Sequence, residues 1–231
     1  MSCLMCQGKI SEYFDLSWVL SFQRTKKKYL CNDCQSNFTK LSDAPTCLGC
    51  GRKMNVEEIC NDCIKWKKAY GQLLENVALY EYNGVMKEYF ERFKFMGDFY
   101  FANVFNDELK AFVKKEYSKG KDWLYVPIPL SAQSYQTRMF NQVEGLFSGL
   151  EFAKLLAVKN EEKKQQSKLN RQERMKRSQP FILNKGSEEI IEGRKILLLD
   201  DIYTTGRTLY YAAEIIRSAG AKEIKSMTLA R

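Results

Sequence analysis

After residue 76, the apolar positions follow two patterns in turn: short continuous runs, and recurrence at the spacing of a helix. Short apolar runs predict strands at Val77–Tyr82 and Trp123–Ile128, and between them apolar residues recur at helical spacing, over Gly84–Phe95 and then Val104–Val113. Later runs predict three more strands and one more helix: Phe181–Leu183, Lys195–Asp201, the helix Arg207–Arg217, and Lys225–Leu229. Strands that alternate with helices in this order favour an α/β fold with a parallel sheet.

The residues from Ser134 to Gln142 are expected to form a loop that leads from the Trp123–Ile128 strand into another helix. Five apolar positions mark that helix: Val143, Leu146, Phe147, Leu150 and Ala153. Because the loop follows a strand of the predicted sheet, Ser131 and Arg138 are candidates for binding a pyrophosphate at the sheet's carboxyl edge. By chemistry alone, Arg138 is equally compatible with a surface position near a helix start.

The most informative segment runs from Lys195 to Leu209. Its four apolar residues, Ile196–Leu199, have no polar neighbour on either face, which predicts a strand buried on both sides. Asp200 and Asp201 follow at the carboxyl end, where open α/β sheets bind ligands. Adjacent carboxylates point to alternate sides of a strand, so one can hold the vicinal hydroxyls of a ribose. The other can take a second hydroxyl or a magnesium-bound water.

A turn rich in hydroxyl groups comes next, and a helix begins at Arg207, so that the helix N-terminus faces the same place. This pattern suits a phosphate and resembles the phosphoribosyl-pyrophosphate (PRPP) signature of type I phosphoribosyltransferases, in which the acids contact ribose and the turn wraps the 5′-phosphate. The predicted ribose and 5′-phosphate ligands are Asp200, Asp201, Thr204, Thr205, Gly206, Arg207 and Thr208. The simpler alternative is a buried strand that ends in helix-capping acids.

Cysteine distribution divides the chain into residues 1–70 and 71–231. All eight cysteines precede residue 64 and form four Cys-x-x-Cys pairs: Cys3/Cys6, Cys31/Cys34, Cys47/Cys50 and Cys60/Cys63. These supply the ligands of two structural zinc ions, as in a double zinc ribbon. Pairing in sequence order gives one site from the first four cysteines and one from the last four, although an interleaved pairing is also compatible with the spacing. A four-sulfur site leaves no position for water, so the metal is expected to fold the module without taking part in chemistry.

Charge indicates an anionic partner, because the formal net charge is +9 and the chain has no histidine. Basic residues next to aromatic ones, in the gap before Cys31 and after Cys63, suit single-stranded nucleic acid. A further basic segment, residues 159–177, has eight basic and three acidic residues. It suits a mobile loop that closes over a ligand, a contact with nucleic acid or a solvated loop. The nucleic-acid candidates are Lys26, Lys27, Lys28, Lys67, Lys68, Lys163, Lys164, Arg171 and Arg174.

The order of these motifs makes the resemblance more specific. After the cysteine pairs come Lys-Phe-Met-Gly-Asp at 94–98, Val-Pro-Ile-Pro-Leu-Ser at 126–131, Arg-Met-Phe-Asn-Gln at 138–142, Leu-Asn-Arg-Gln-Glu-Arg at 169–174 and the Asp-Asp-Ile-Tyr-Thr-Thr-Gly turn. Over essentially the whole chain this resembles the ComF (ComFC) family of competence proteins. Met139 stands where that family usually has Gly, and Asn170 where it usually has Ser.

The resemblance implies a type I phosphoribosyltransferase-like parallel sheet flanked by helices, with a small N-terminal zinc-ribbon module. It also implies a role in natural transformation, in which single-stranded DNA enters the cytoplasm with the help of a membrane-associated ComFA-type helicase. The first residues do not have the apolar h-region expected of a secretory signal, and no apolar stretch approaches the ~18 residues expected of a membrane span. We therefore expect a cytoplasmic protein that associates peripherally with a DNA-uptake complex at the inner face of the membrane.

Two functions of different class remain open from the sequence. In the first, the zinc module docks the helicase, the basic surface holds DNA and the pocket binds PRPP or a related phosphate. In the second, the chain is an active phosphoribosyltransferase that uses PRPP and magnesium on an unidentified acceptor. No segment of the sequence indicates a particular acceptor.

Overall fold

The computed structural model describes residues 1–10, 27–95, 99–117, 122–159 and 179–231. The helices are α1 Asn32–Ser36, α2 Asn61–Tyr70, α3 Gly84–Phe95, α4 Asn103–Tyr117 (after a 3-10 turn, Phe99–Ala102), α5 Ala132–Arg138, α6 Gln142–Leu146, α7 Ser187–Ile191 and α8 Arg207–Ser218. The strands are β1 Asn76–Tyr80, β2 Trp123–Pro127, β3 Leu156–Val158, β4 Phe181–Leu183, β5 Lys195–Ile202 and β6 Glu223–Ala230.

The main sheet has the order β1-β6-β5-β2, and each neighbouring pair of strands is parallel. Pro127 on β2 lies opposite Leu199 on β5, and the N–H of Ile128 donates to the Leu199 carbonyl at 2.9 Å. The carboxyl ends of β2 and β5 are therefore side by side, as the proposed ligand edge requires. The parallel sheet with flanking helices confirms the predicted fold class.

Strand β5 is buried on both faces, as its unbroken apolar run predicts. Leu197 and Leu199 pack into one core together with α3, α4 and α6. Ile196 and Leu198 pack into a second core together with α7 and α8. All four side chains are fully inaccessible to solvent. Each contributes about 1.5–3 kcal/mol of burial free energy, so the strand is held firmly between two layers of helices.

The cysteine module, residues 1–70, is built onto β1, the edge strand of the sheet. The N–H of Leu41 donates to the Leu79 carbonyl, and the N–H of Glu81 donates to the Thr39 carbonyl, each at 2.9 Å. Cys3, Cys31 and Cys34 lie in or against the core on one side of the sheet, and the last four cysteines belong to the core on the other. The described part of the module therefore straddles the edge of the sheet.

The region between β2 and β3 differs from the prediction. The expected loop at 134–142 contains helix α5, because the Ser131 hydroxyl accepts the N–H of Ser134 at 3.2 Å and so caps a helix. The expected helix through Ala153 ends at Leu146. Gly149 is left-handed, with φ 86°, which turns the chain away from a helical path. A short strand, β3, then forms where no strand was predicted.

Strand β4 is present at Phe181–Leu183, but it pairs with β3 in a separate antiparallel sheet instead of joining the main one. The N–H of Lys159 donates to the Pro180 carbonyl at 2.8 Å, so the chain leaves and re-enters this pair at adjacent points. The basic segment between them falls on residues 160–178, outside the described part of the chain. Among the described residues, none of the helices is long and apolar enough to cross a membrane.

Met139 ends helix α5 in the left-handed conformation, with φ 64°, and its N–H donates to the Tyr135 carbonyl at 2.7 Å. The backbone therefore takes the path that glycine favours, with a side chain in place. Such a conformation costs a non-glycine residue about 1 kcal/mol or more.

We expect Met139→Gly to raise the free energy of unfolding by up to about 1 kcal/mol, because the residue is 73% exposed and loses little packing. Urea unfolding would measure the change. The matched control is Thr137→Gly in the same helix, which should instead lower stability by about 0.5–1 kcal/mol. Equal destabilisation by both variants would contradict the strain at position 139.

Candidate functional site

Asp201, at the carboxyl end of β5, is paired with Lys94 on α3. The Lys94 Nζ lies 2.5 Å from Asp201 Oδ2, and both side chains are less than one-fifth exposed. The preceding carboxylate is held differently, because Asp200 Oδ1 accepts the N–H of Asp201 at 2.9 Å. The period of the strand directs the two side chains to opposite faces. Only one acid of the pair thus has a cation bonded to it in the described structure.

Asp200 is a poor acid in this position. Burial and, to a smaller extent, the charge of the adjacent Asp201 carboxylate raise the pKa of Asp200 to about 8. The hydrogen bond from the Asp201 N–H and the charge of Lys94 lower this pKa, but only in part. At neutral pH the ligand-free protein therefore holds Asp200 largely protonated. Ionisation becomes favourable when a ligand presents hydroxyl donors or positive charge to this carboxyl group.

The turn after β5 exposes its hydroxyl groups around a buried centre. Thr204, Thr205 and Thr208 are exposed, whereas Tyr203 is 2% exposed. Gly206 has φ 84°, and a Cβ at this position would clash with the ring and hydroxyl of Tyr203. Only glycine fits there for both reasons. Helix α8 begins at the next residue, so its N-terminal N–H groups lie at this turn, as phosphate binding requires.

Two side chains from elsewhere fix the backbone of this turn. The Arg231 guanidinium lies over the Tyr203 ring, 4.8 Å from its centroid, and donates to the carbonyls of Tyr203 and Thr204 at 3.2 and 2.9 Å. Trp66 of α2 donates its indole N–H to the Thr205 carbonyl at 2.9 Å. Three successive carbonyl groups of the turn are therefore bonded, one of them by the cysteine module.

The eight thiols form two sets of four in sequence order, so the interleaved pairing is wrong. The sulfur atoms of each set all lie within 4.8 Å of one another. We call them centre I (Cys3, Cys6, Cys31, Cys34) and centre II (Cys47, Cys50, Cys60, Cys63). The Cys6 and Cys31 sulfurs of centre I are 3.7 Å apart, and the Cys50 and Cys60 sulfurs of centre II are 3.8 Å apart. Four sulfurs at the zinc bond length of ~2.3 Å lie about 3.8 Å apart, so both sets fit this metal.

Each centre joins a hairpin to the start of a helix. The hairpins are closed by the bridges Ser2 to Lys9 and Thr46 to Lys53, while Cys31 and Cys60 directly precede α1 and α2. Backbone N–H groups donate to the sulfurs, as from Gly49 to Cys47 at 3.4 Å. Donors of this kind favour the thiolate form that a metal needs.

Centre II, besides offering four metal ligands, is connected to the turn after β5. A hydrogen bond from Cys63 and another from Arg231 lower the pKa of Cys50 to about 4, despite its burial. Helix α2 begins at centre II, and its Trp66 stacks on Tyr210 of α8 at 4.6 Å between ring centroids. Both side chains that fix the turn are thus anchored at centre II.

The predicted pyrophosphate residues have local partners. The Ser131 hydroxyl caps α5 and also donates to the Ser134 hydroxyl at 2.9 Å. Arg138 donates to the side-chain oxygen of buried Gln142 at 3.0 Å. Ser131 follows the end of β2, beside the end of β5. Arg138 lies at the other end of α5, and its role in pyrophosphate binding stays a prediction.

The nucleic-acid candidates divide into described and undescribed residues. Lys27 lies over the rings of Tyr29 and Tyr100 and bonds to the Tyr100 hydroxyl. Lys28, Lys67 and Lys68 are exposed. Those outside the described residues are Lys26, Lys163, Lys164, Arg171 and Arg174. Trp66, one of the aromatic residues after Cys63 that were expected to suit nucleic acid, stacks one face of its ring on Tyr210.

Three residues of the site were not predicted from the sequence: Lys94, Trp66 and Arg231. Lys94 begins the Lys-Phe-Met-Gly-Asp motif, so its place in an ordered pattern was a usable signal. Trp66 was assigned to nucleic acid, although its spacing of four from Tyr70 also fits a helix face that packs on the sheet domain. Nothing in the local sequence indicates that Arg231 returns to the turn.

The chain is similar to known proteins over its whole length. Residues 136–231 match the phosphoribosyl transferase domain. The competence protein ComFC of Streptococcus pneumoniae is 36% identical over 233 aligned residues, which cover 100% of both chains. That of Bacillus subtilis is 34% identical, over 99% of this chain and 94% of its own. A hypoxanthine phosphoribosyltransferase structure from Staphylococcus aureus superposes with a TM-score of 0.32 and 22% identity, over 55% of this chain and 61% of its own.

The raised pKa of Asp200 predicts a pH-dependent stability. A carboxyl group that ionises less readily in the folded chain stabilises it at low pH, and that stability is lost as pH rises from about 4 to about 8. Relative to Asp200→Asn, the wild type should lose up to about 1.4 kcal/mol per pH unit in this range and level off above it. Urea unfolding at several pH values would measure this. A difference that does not vary with pH would contradict it.

The connection of centre II to the turn predicts unequal effects of the two metal sites. Elemental analysis should find two zinc ions per chain, and one in either Cys3→Ser or Cys47→Ser. Because only centre II anchors Trp66 and Arg231, Cys47→Ser should speed amide exchange in residues 204–208 by roughly tenfold or more. Cys3→Ser is the matched control and should leave these amides unchanged, with circular dichroism confirming that both variants fold. Equal acceleration by both would disprove the connection.

Proposed function

This chain belongs to the ComFC family of competence proteins, and from that membership we propose that it handles single-stranded DNA as the DNA enters the cytoplasm during natural transformation. In this role it works with a ComFA-type helicase at the inner face of the membrane. The full-length similarity to two competence proteins is the observation that carries the proposal. The cysteine module is the docking surface for the helicase, and the basic surface holds the DNA.

The edge of the sheet at Asp200 and Asp201 binds PRPP or a related ribose phosphate. The carboxylates accept hydrogen bonds from vicinal ribose hydroxyls, and the exposed hydroxyls and N–H groups of residues 204–208 bind the 5′-phosphate. Magnesium, when bound with PRPP, would be held at Asp200 and Asp201 and would supply charge to the pyrophosphate. The ion pair with Lys94 holds the Asp201 side chain in place until the ligand arrives.

Active phosphoribosyl transfer is the second candidate function, favoured by a cavity that the sequence did not indicate. It has a volume of about 560 Å³ and lies beside Pro127, Pro129 and Leu130 at the end of β2. Its walls include the aromatic rings of Phe99, Tyr135 and Phe140. A planar acceptor fits such walls, and the cavity borders the loop predicted to bind pyrophosphate. Release of pyrophosphate from PRPP when an acceptor is added would support this function.

The proposed ligand site is tested by Asp200→Asn and Asp201→Asn. Each variant removes a carboxylate whose hydrogen bond to a ribose hydroxyl is worth about 1.5–3 kcal/mol. PRPP affinity should therefore fall by about tenfold or more. Transformation frequency should fall with it, while DNA and helicase binding persist. Asp107→Asn on α4 is the control, since its side chain is 83% exposed and paired only within its own helix. Normal transformation by both site variants would show that the pocket has no role in DNA uptake.

A further inference from the structure

A second cavity lies where the cysteine module meets the turn. It has a volume of about 370 Å³, within the range of ligand pockets. One wall comes from the module and the other from the turn and the start of α8. The lining residues are Arg52, Asp62, Lys65, Trp66, Ala69, Thr204, Thr205 and Arg207. We call it the junction cavity; neither Asp200 nor Asp201 lines it.

The charge of the junction cavity favours an anion. Arg52 is paired with Asp62 at 2.8 Å, and Asp62 is the one acid in the lining. Lys65 and Arg207 have no acidic partner among the described residues. Two positive charges are therefore left for a ligand, beside the hydroxyls of Thr204 and Thr205. Phosphate oxygens match this combination of donors.

The same cavity has an apolar wall. The Trp66 ring lies against Tyr210 on one face, at an interplanar angle of 13°, and its N–H is used by the Thr205 carbonyl. The indole therefore contributes aromatic surface to the cavity, and the methyl group of Ala69 extends this apolar wall. A planar base can lie on such a surface, and stacking of this kind tolerates any base.

We propose that the junction cavity binds one nucleotide unit of single-stranded DNA, with the phosphate on Lys65 and Arg207 and the base against Trp66. The inference rests on the proposed function, because it specifies where that function holds the strand. The turn contributes to both sites, so a strand in the cavity lies directly beside a ribose phosphate at Asp200 and Asp201. The helix face with Lys67 and Lys68 does not line the cavity.

The test compares two variants that each lose two positive charges. Arg52→Gln/Lys65→Gln removes the cysteine module's cations from the cavity. The matched control is Lys185→Gln/Lys222→Gln, because both lysines are exposed and neither lines the cavity. Binding of labelled oligo(dT) is measured at several salt concentrations. The first variant should bind more weakly and lower the slope of log affinity against log salt by about 0.7, the value for one phosphate contact of a single strand. The control should keep the wild-type slope, and both variants should keep PRPP affinity.

An abasic deoxyribose-phosphate oligomer tests the base contact, and we expect it to bind wild type at least about fivefold more weakly than oligo(dT). Thymidine 5′-monophosphate tests the source of the nucleotide: binding weaker than oligo(dT) supports a strand, and equal binding overturns it in favour of a free nucleotide. Equal loss of slope in both double variants would overturn the cavity alone, with the proposed function intact. No binding of oligo(dT) by wild type would overturn both.

Discussion

Burial of β5 on both faces is the constraint on which the rest of the molecule depends. Ile196–Leu199 alternate between two cores, so a shift of one residue would exchange every contact of the strand. Its register is therefore fixed, and with it the position at which the apolar run stops. Asp200 and Asp201 begin there, beside the end of β2, and the turn and α8 follow without intervening residues. Core packing thus positions the polar site.

The cysteine module extends this arrangement to the other side of the site. A buried amide group, that of Asn76, donates to the Cys50 carbonyl at 3.2 Å and to the Thr228 hydroxyl at 3.3 Å, which joins centre II to the sheet. Trp66 and Arg231 then join it to the turn. Centre II and the edge of the sheet at Asp200 and Asp201 are therefore connected through the same set of contacts, although no cysteine lies beside the two carboxyl groups.

Elements with a strong period were predictable from the sequence, and those set by tertiary contacts were not. Helix α3 has the predicted bounds because five apolar side chains recur along one face. Helix α5 was missed because a single cap at Ser131 and seven largely polar residues carry no apolar period. The acids and the turn were identified locally. The Lys94–Asp201 pair and the bonds from Trp66 and Arg231 join residues far apart in sequence, which no local pattern encodes.

The pairing of residues 39–41 with β1 has a consequence for solubility. An uncovered edge strand presents free N–H and C=O groups to other chains and promotes strand-to-strand aggregation. Here the module occupies that edge, through the antiparallel bridge between Lys40 and Tyr80. The fold of the module depends on its thiolate centres, so a chain that loses its metal would uncover the edge of the sheet. Loss of the metal is therefore expected to open this edge to β-pairing between chains.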